Sequence, residues 1–275
     1  MSRTKNSGIE IYRKALFIFP LVILSGLLMQ SIPSENFNIS ANSADPLVVT
    51  FFMDKRNPLN KYLAKFAWGW TSILMWLSSI IVLAGLSGLI GGGGVSRKRR
   101  NVAVRLITGY IMATLYWTFL VNWFFGPSVF DRIYTKTGGV CMVYTGGDME
   151  SYVVNESILT FSGCRGVKGT WQNGFDVSGH SFLLSHSAFF LFEFVIGYYL
   201  TFSTTRRSIL YDIVAFVTAV FLGIWAIMLF FTSWKFHSYS EILSGFAFAL
   251  IYWFVFYFFL GYETPKVDEK RKKTI

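Results

Sequence analysis

The chain has 275 residues, of which 53% are hydrophobic and 19% aromatic, and carries a formal net charge of +10. That apolar share, with its positive mean hydropathy, excludes an ordinary soluble domain and points to a polytopic membrane protein. The basic surplus gathers at the N-terminus, at Arg97–Arg105, at Arg206 with Arg207, and in the tail from Lys266 to Lys273, a clustering that reads as membrane topology and excludes a nucleic-acid footprint.

A helix that crosses the bilayer needs about 20 mostly apolar residues, and six stretches qualify. The first, Ala15–Ile32, follows Arg3, Lys5, Arg13 and Lys14; "LLMQSIPS" offers no small-x-small cleavage site, so it reads as a retained helix. Pro20 is expected to kink it. The loop 33–65 contains "DPLVVTFFMDKRNPLNKYLAKF", which suits either an interfacial segment or a plain tether. The second span is Phe66–Ile90. After it, "GGGGVSRKRR" lacks the Lys-Ser/Thr ending of a phosphate loop and reads as a cytosolic turn with a topogenic charge cluster. The third span is Val102–Phe125. The long loop 126–179 holds both cysteines, Cys141 and Cys164, and leaves their pairing open. Phe182–Phe202, Ile209–Trp234 and Ile242–Tyr262 complete the set. Gly85, Gly88, Gly197, Gly223 and Gly245 suit close helix contacts.

The fold expected is therefore all-α: one six-helix membrane domain over 1–275, with a basic tail at 263–275. Alternating spans put all four basic clusters on one side, and hence both termini in the cytosol. The loops 33–65 and 126–179 then face the other side. The ending "KRKKTI" places Lys272 and Lys273 at dilysine spacing, a signal for retrieval to the endoplasmic reticulum by a coat, which makes the opposite side the ER lumen. The sequons at Asn38 and Asn155 fall on that side.

Topology brings two of the three histidines to the same face. His180 stands where the fourth span begins, after "FDVSG", and His237 lies in "SWKFHSYSE" between the fifth and sixth. An imidazole titrating near neutrality serves as nucleophile, base or acid, so a pair suits phosphoryl transfer through a phosphohistidine. Zinc ligation is the weaker alternative: there is no cysteine cluster and no helical His-x-x-x-His, and neither metal nor cofactor is expected. Asp176 precedes His180 by one helical turn, Ser178 can cap the helix, and the N–H groups left there, from Gly179 on, suit a phosphate oxygen. Glu241, one turn after His237, can orient that ring. Lys235, Arg165 and Lys168 are candidate phosphate-binding groups, each of which also reads as an interfacial anchor. His186 and Glu193 lie deeper on one face of the fourth span, as a pair, as support for the site or against a lipid head group.

"DVSGH" followed by "SFLL", together with "KFHSYSEILSG" at the mouth of the last span, resembles the fat storage-inducing transmembrane proteins, in their fungal branch, which are themselves similar to lipid phosphate phosphatases. The resemblance implies that His180 is the general acid and His237 the nucleophile, with Glu241 where the phosphatases have aspartate. The phosphatases' first motif, which contains an Arg-Pro pair, is missing, so no phosphate-binding group carries over. The activity implied is an ER acyl-coenzyme A diphosphatase that releases acyl 4′-phosphopantetheine and adenosine 3′,5′-bisphosphate. Roles in lipid droplet biogenesis and phospholipid balance accompany it. Two alternatives stay open: a noncatalytic triacylglycerol- or diacylglycerol-binding protein that partitions neutral lipid, and a phosphatidate or lysophosphatidate phosphatase.

Overall fold

The computed structural model describes residues 17–32, 51, 54, 56–86, 97–123, 125–144, 152–155, 158–196 and 209–260. The tail, the dilysine pair, the Asn38 sequon and Gly88, Gly91 and Gly197 lie outside them. The apolar stretches form α1 (Ile18–Ser31), α2 (Ala67–Leu86), α3 (Arg97–Val121), α6 (Gly179–Leu191), α7 (Ile209–Lys235) and α8 (Tyr239–Leu260). Two of these, Ile209–Lys235 and Tyr239–Phe256, are long and apolar enough by themselves to cross a membrane, while Ile18–Ser31, Ala67–Ile81 and Leu106–Val121 are shorter apolar helices.

α6 is the central helix. It packs against α8, α7, α2 and α3, and from Ser181 to Leu191 only Leu183 is not fully buried, with Ser181, Ser185, His186 and Ser187 enclosed along with the apolar side chains. Outward faces of the surrounding helices expose Leu21, Leu24, Trp76, Ile80, Phe216 and Phe254, a surface that water would not tolerate and lipid would. Several buried hydroxyls bond within their own helices: Thr71 donates to the Ala67 carbonyl, Ser78 to Leu74, Thr218 to Val214 and Thr232 to Met228.

Two close approaches draw the helices together. A Cβ on Gly245 of α8 would run into the Ser178 carbonyl and come within 3.1 Å of Ser181 Cβ, and one on Gly26 of α1 would lie 2.7 Å from Ser233 Cβ of α7. Gly223 meets nothing within 4 Å, so of the glycines expected at helix contacts it is not one. Pro20 falls in the first turn of α1, where its missing N–H breaks no ladder, so it gives no reason for a kink.

The 126–179 segment corrects the all-α expectation. It begins with α4 (Val129–Lys136) and ends as a cap containing β1 (Val140–Tyr144), β2 (Tyr152–Asn155), α5 (Phe161–Gly166) and β3 (Thr170–Gln172). The strands form an antiparallel sheet in the order β2-β1-β3, with Cys141 opposite Asn155 on one side and Trp171 on the other. Single-sequence periodicity misses strands this short when glycines flank them. Ser128 and Asp131 form a reciprocal capping box at the start of α4, and Asp131 also accepts from the Phe161 N–H at 2.9 Å. A disulfide joins Cys141 of β1 to Cys164 of α5, and Gly169 has no Cβ because both sulfurs occupy that space.

The stretch before α2 is not a tether. Behind Pro58 the chain makes a π-helical turn, Leu59–Ala64, closed by the Lys65 N–H to the Asn60 carbonyl at 3.1 Å. Asn57, Asn60 and Ala64 are buried, and the turn packs on α7 and α2.

Candidate active site

Alternating helix directions put the end of α1, the π-helical turn before α2, the start of α6, the end of α7 and the start of α8 at one mouth of the bundle. Both histidines predicted to do chemistry stand there. Ser178 caps α6: its hydroxyl oxygen accepts from the Ser181 N–H at 3.3 Å, while the Ser181 hydroxyl donates to the Ile242 carbonyl at 2.8 Å. His180, half-buried in the first turn, is thereby fixed relative to α8.

Glu241 ties the two halves of the site together. Its Oε1 accepts from the Asp176 N–H at 3.3 Å, its Oε2 accepts from the Ser238 N–H at 2.8 Å, and its backbone carbonyl accepts from the Ser178 N–H at 3.1 Å. The same Oε2 lies 3.5 Å from His237 Nδ1. A carboxylate facing Nδ1 stabilises the proton there and leaves Nε2 as the nucleophilic nitrogen. Asp176 thus contributes through its backbone N–H, and its exposed side chain is not what meets Glu241.

Residues that sequence reasoning passed over complete the mouth. Asn60 Oδ1 lies 2.8 Å from His180 Nε2. Gln30, near the end of α1, donates from Nε2 to the His237 carbonyl at 3.1 Å, and the neighbouring Tyr239 hydroxyl donates to the Leu27 carbonyl at 3.1 Å. Tyr134 stacks on Trp171 with ring centroids 4.7 Å apart. Burial pushes the Tyr134 hydroxyl pKa up against an opposing Gly174 hydrogen bond, and the charges of Asp176 and Glu241 push it further. The cap therefore reaches the site through Tyr134, and also through Thr137, whose hydroxyl accepts from the Phe175 N–H at 2.8 Å.

The remaining candidates fall elsewhere. Lys235 is exposed at the end of α7, with its ammonium over the Trp234 ring at 4.5 Å. Arg165 and Lys168 are exposed on the cap beside the disulfide. Among the described residues the side chains of these three make no hydrogen bond or ion pair with either histidine. His186 is 1% exposed and walled by Trp68, Phe182, Tyr252 and Tyr116 at centroid distances of 4.9, 5.2, 4.9 and 5.9 Å. Its partner is the Ala113 carbonyl at 3.2 Å, rather than Glu193, which is buried in the π-helical stretch Phe192–Ile196. Two helical turns are about 11 Å, beyond the reach of a direct hydrogen bond along one face.

Fold and site together define a mostly helical transmembrane protein with two histidines at one mouth of its bundle. The family model of the fat storage-inducing transmembrane proteins matches residues 48–210, more than half of the chain, and the chain belongs to that family. It is 28% identical over 261 residues to the acyl-coenzyme A diphosphatase fit1 of Schizosaccharomyces pombe, covering 93% of this chain and 89% of that one. It is 30% identical over 225 residues to the acyl-coenzyme A diphosphatase FITM2 of Homo sapiens, covering 80% and 76%, and 31% identical over 216 residues to that of Sus scrofa, covering 78% and 74%. No solved structure matches the chain.

Proposed function

We propose that the chain is an acyl-coenzyme A diphosphatase of the endoplasmic reticulum membrane, with six spans, cytosolic termini and its active mouth toward the lumen. Its relatives carry that activity in their names. The observation that carries the reading on this chain is Glu241, bonded at once to the approach of His180 and to the segment of His237. A site of two histidines oriented by one carboxylate has the parts that phosphoanhydride cleavage needs.

In the reaction, His237 Nε2 attacks one phosphorus of the diphosphate and the bond from that phosphorus to the bridging oxygen breaks. His180 gives a proton to the departing phosphate. Glu241 holds the His237 Nδ1 proton and stabilises the ring as it becomes positive. Water then attacks the phosphohistidine, with His180 now accepting its proton, which restores both rings and releases the second phosphate monoester. The products are acyl 4′-phosphopantetheine and adenosine 3′,5′-bisphosphate. The acyl chain lies among the aromatic-rich helices. Lys235, Arg165 and Lys168 supply counter-charge at the water boundary. Removal of acyl-coenzyme A at this membrane supports phospholipid balance and lipid droplet biogenesis, and the dilysine tail returns the protein there.

The test is product analysis with purified full-length protein given acyl-coenzyme A, phosphatidate and lysophosphatidate in parallel. Release of adenosine 3′,5′-bisphosphate from the first substrate is expected. Phosphate release from the phosphatidates alone would move the chain to the phosphatase alternative, and lipid binding without any product would make it a lipid-partitioning protein. A glycan attached at a sequon engineered beside His237 is the expected topological result, and a cytosolic position there would remove the lumenal reading.

A further inference from the structure

The contact that the proposed chemistry does not yet use is the one between Asn60 and His180. Asn60 is 6% exposed and sits in the π-helical turn, a geometry that recurs at functional sites because it re-aims side chains at a cost in backbone regularity. The turn is fastened independently of the histidine. Asn57 Oδ1 accepts from the Asn60 N–H at 2.7 Å, Asn57 Nδ2 donates to the Asp54 carbonyl at 3.0 Å, and the Lys61 N–H reaches the Asn57 carbonyl at 2.9 Å. Asn60 therefore comes to His180 from a rigid support on a third wall, 120 residues away in sequence.

An amide oxygen only accepts hydrogen bonds. At 2.8 Å from His180 Nε2 it selects the ring state with hydrogen on Nε2, and it favours the imidazolium, in which that hydrogen carries more charge. We propose that Asn60 is the positioning residue of the general acid: it holds His180 with Nε2 protonated and turned away from the reaction, so that proton transfer to the leaving phosphate runs through Nδ1. This rests on the role given to His180 in the proposed function. It also gives the 54–65 stretch a task in a chain that lacks the phosphatases' first motif: it supports the acid.

The charged and titratable groups at this mouth are Asp54, Arg56, Lys61, Tyr62 and Lys65 on the stretch that carries Asn60, Tyr134 and Asp176 ahead of α6, and Lys235, His237, Tyr239 and Glu241 across from it. All keep their positions in single Asn60 variants, so a change in pH response reports the Asn60–His180 contact. The experiment compares full-length wild type, Asn60→Asp, Asn60→Ala and His180→Ala, in kcat and KM for acyl-coenzyme A across pH and in thermal unfolding. Asn60→Asp keeps the shape and adds a negative charge against the ring, which favours the imidazolium. Its alkaline limb is expected to move up by roughly one pH unit or more. Asn60→Ala loses the acceptor, so its alkaline limb is expected to move down while kcat falls roughly ten- to a hundredfold at near-constant KM. A purely structural role would lower thermal stability and leave both limbs in place. Superimposable pH profiles for folded wild type and Asn60→Asp, with His180→Ala inactive, overturn this inference and leave the proposed function standing. Full activity in His180→Ala overturns the proposed function and this inference with it.

Discussion

Glu241 Oε2 stands 3.5 Å from His237 Nδ1 and 2.8 Å from the Ser238 N–H, so one carboxylate both faces the ring proposed as nucleophile and closes the turn that carries it. Glu241→Gln keeps an acceptor oxygen and removes the charge. It is expected to lower kcat roughly 10²-fold with thermal stability near wild type. Glu241→Ala leaves the Asp176 and Ser238 N–H groups to water, since both bonds are exposed, and costs about 1 kcal/mol in addition. Steady-state kinetics beside thermal unfolding separates the two effects, and equal kcat for wild type and Glu241→Gln would remove the carboxylate from the chemistry.

Gly245 is the residue that lets α8 meet the start of α6, since a Cβ there would strike the Ser178 carbonyl. Gly245→Ala is expected to destabilise by roughly 1–3 kcal/mol and to reduce the rate, because the obstacle is backbone and the turn bearing His180 must shift. Gly223→Ala, with open space around it, is the matched control and is expected to leave both stability and rate close to wild type or slightly improved. Unfolding temperatures and initial rates of the two variants check the difference.

How much of this was legible in the sequence follows from what hydropathy and spacing encode. Alternating spans put His180 and His237 on one face, and the one-turn offset placed Glu241 beside His237, because helix geometry is regular. Asn60 gave no such signal. An asparagine in "KRNPLNKY" has the composition of a solvated turn, and its contact with His180 spans 120 residues of sequence. The strands of the cap are too short for period-two alternation to stand out. His186 and Glu193 share a helical face, yet side-chain reach and the aromatic rings from α2, α3 and α8 decide where His186 points, and spacing along one helix contains no information about either.

The disulfide from Cys141 to Cys164 closes a loop with a sequence separation of 23, worth on the order of 3 kcal/mol to the cap. The cap holds Phe175, and through it the approach to His180. Cys141→Ser with Cys164→Ser is expected to speed proteolysis within 126–179 and to lower the rate. A reductant should do the same to wild type and nothing further to the double variant. Faster cleavage with an unchanged catalytic rate would sever the cap from the site.

His186 separates support from chemistry. His186→Leu removes the imidazole's hydrogen bond to the Ala113 carbonyl, which keeps its partner within the helix, and is expected to cost about 1 kcal/mol, with a rate per folded molecule close to wild type. Thermal unfolding paired with kinetics on the folded fraction reads both. Loss of turnover with unchanged stability would instead draw His186 into the reaction.

The central claim is that two histidines at one mouth act as a single catalytic unit. Its most direct test is the initial rate of adenosine 3′,5′-bisphosphate release from acyl-coenzyme A by folded wild type, His180→Ala, His237→Ala and the double variant. Each single substitution is expected to reduce the rate at least about 10²-fold, and the double variant should be little worse than the weaker single, as residues that act together behave. Equal product release from wild type and both single variants would contradict the account.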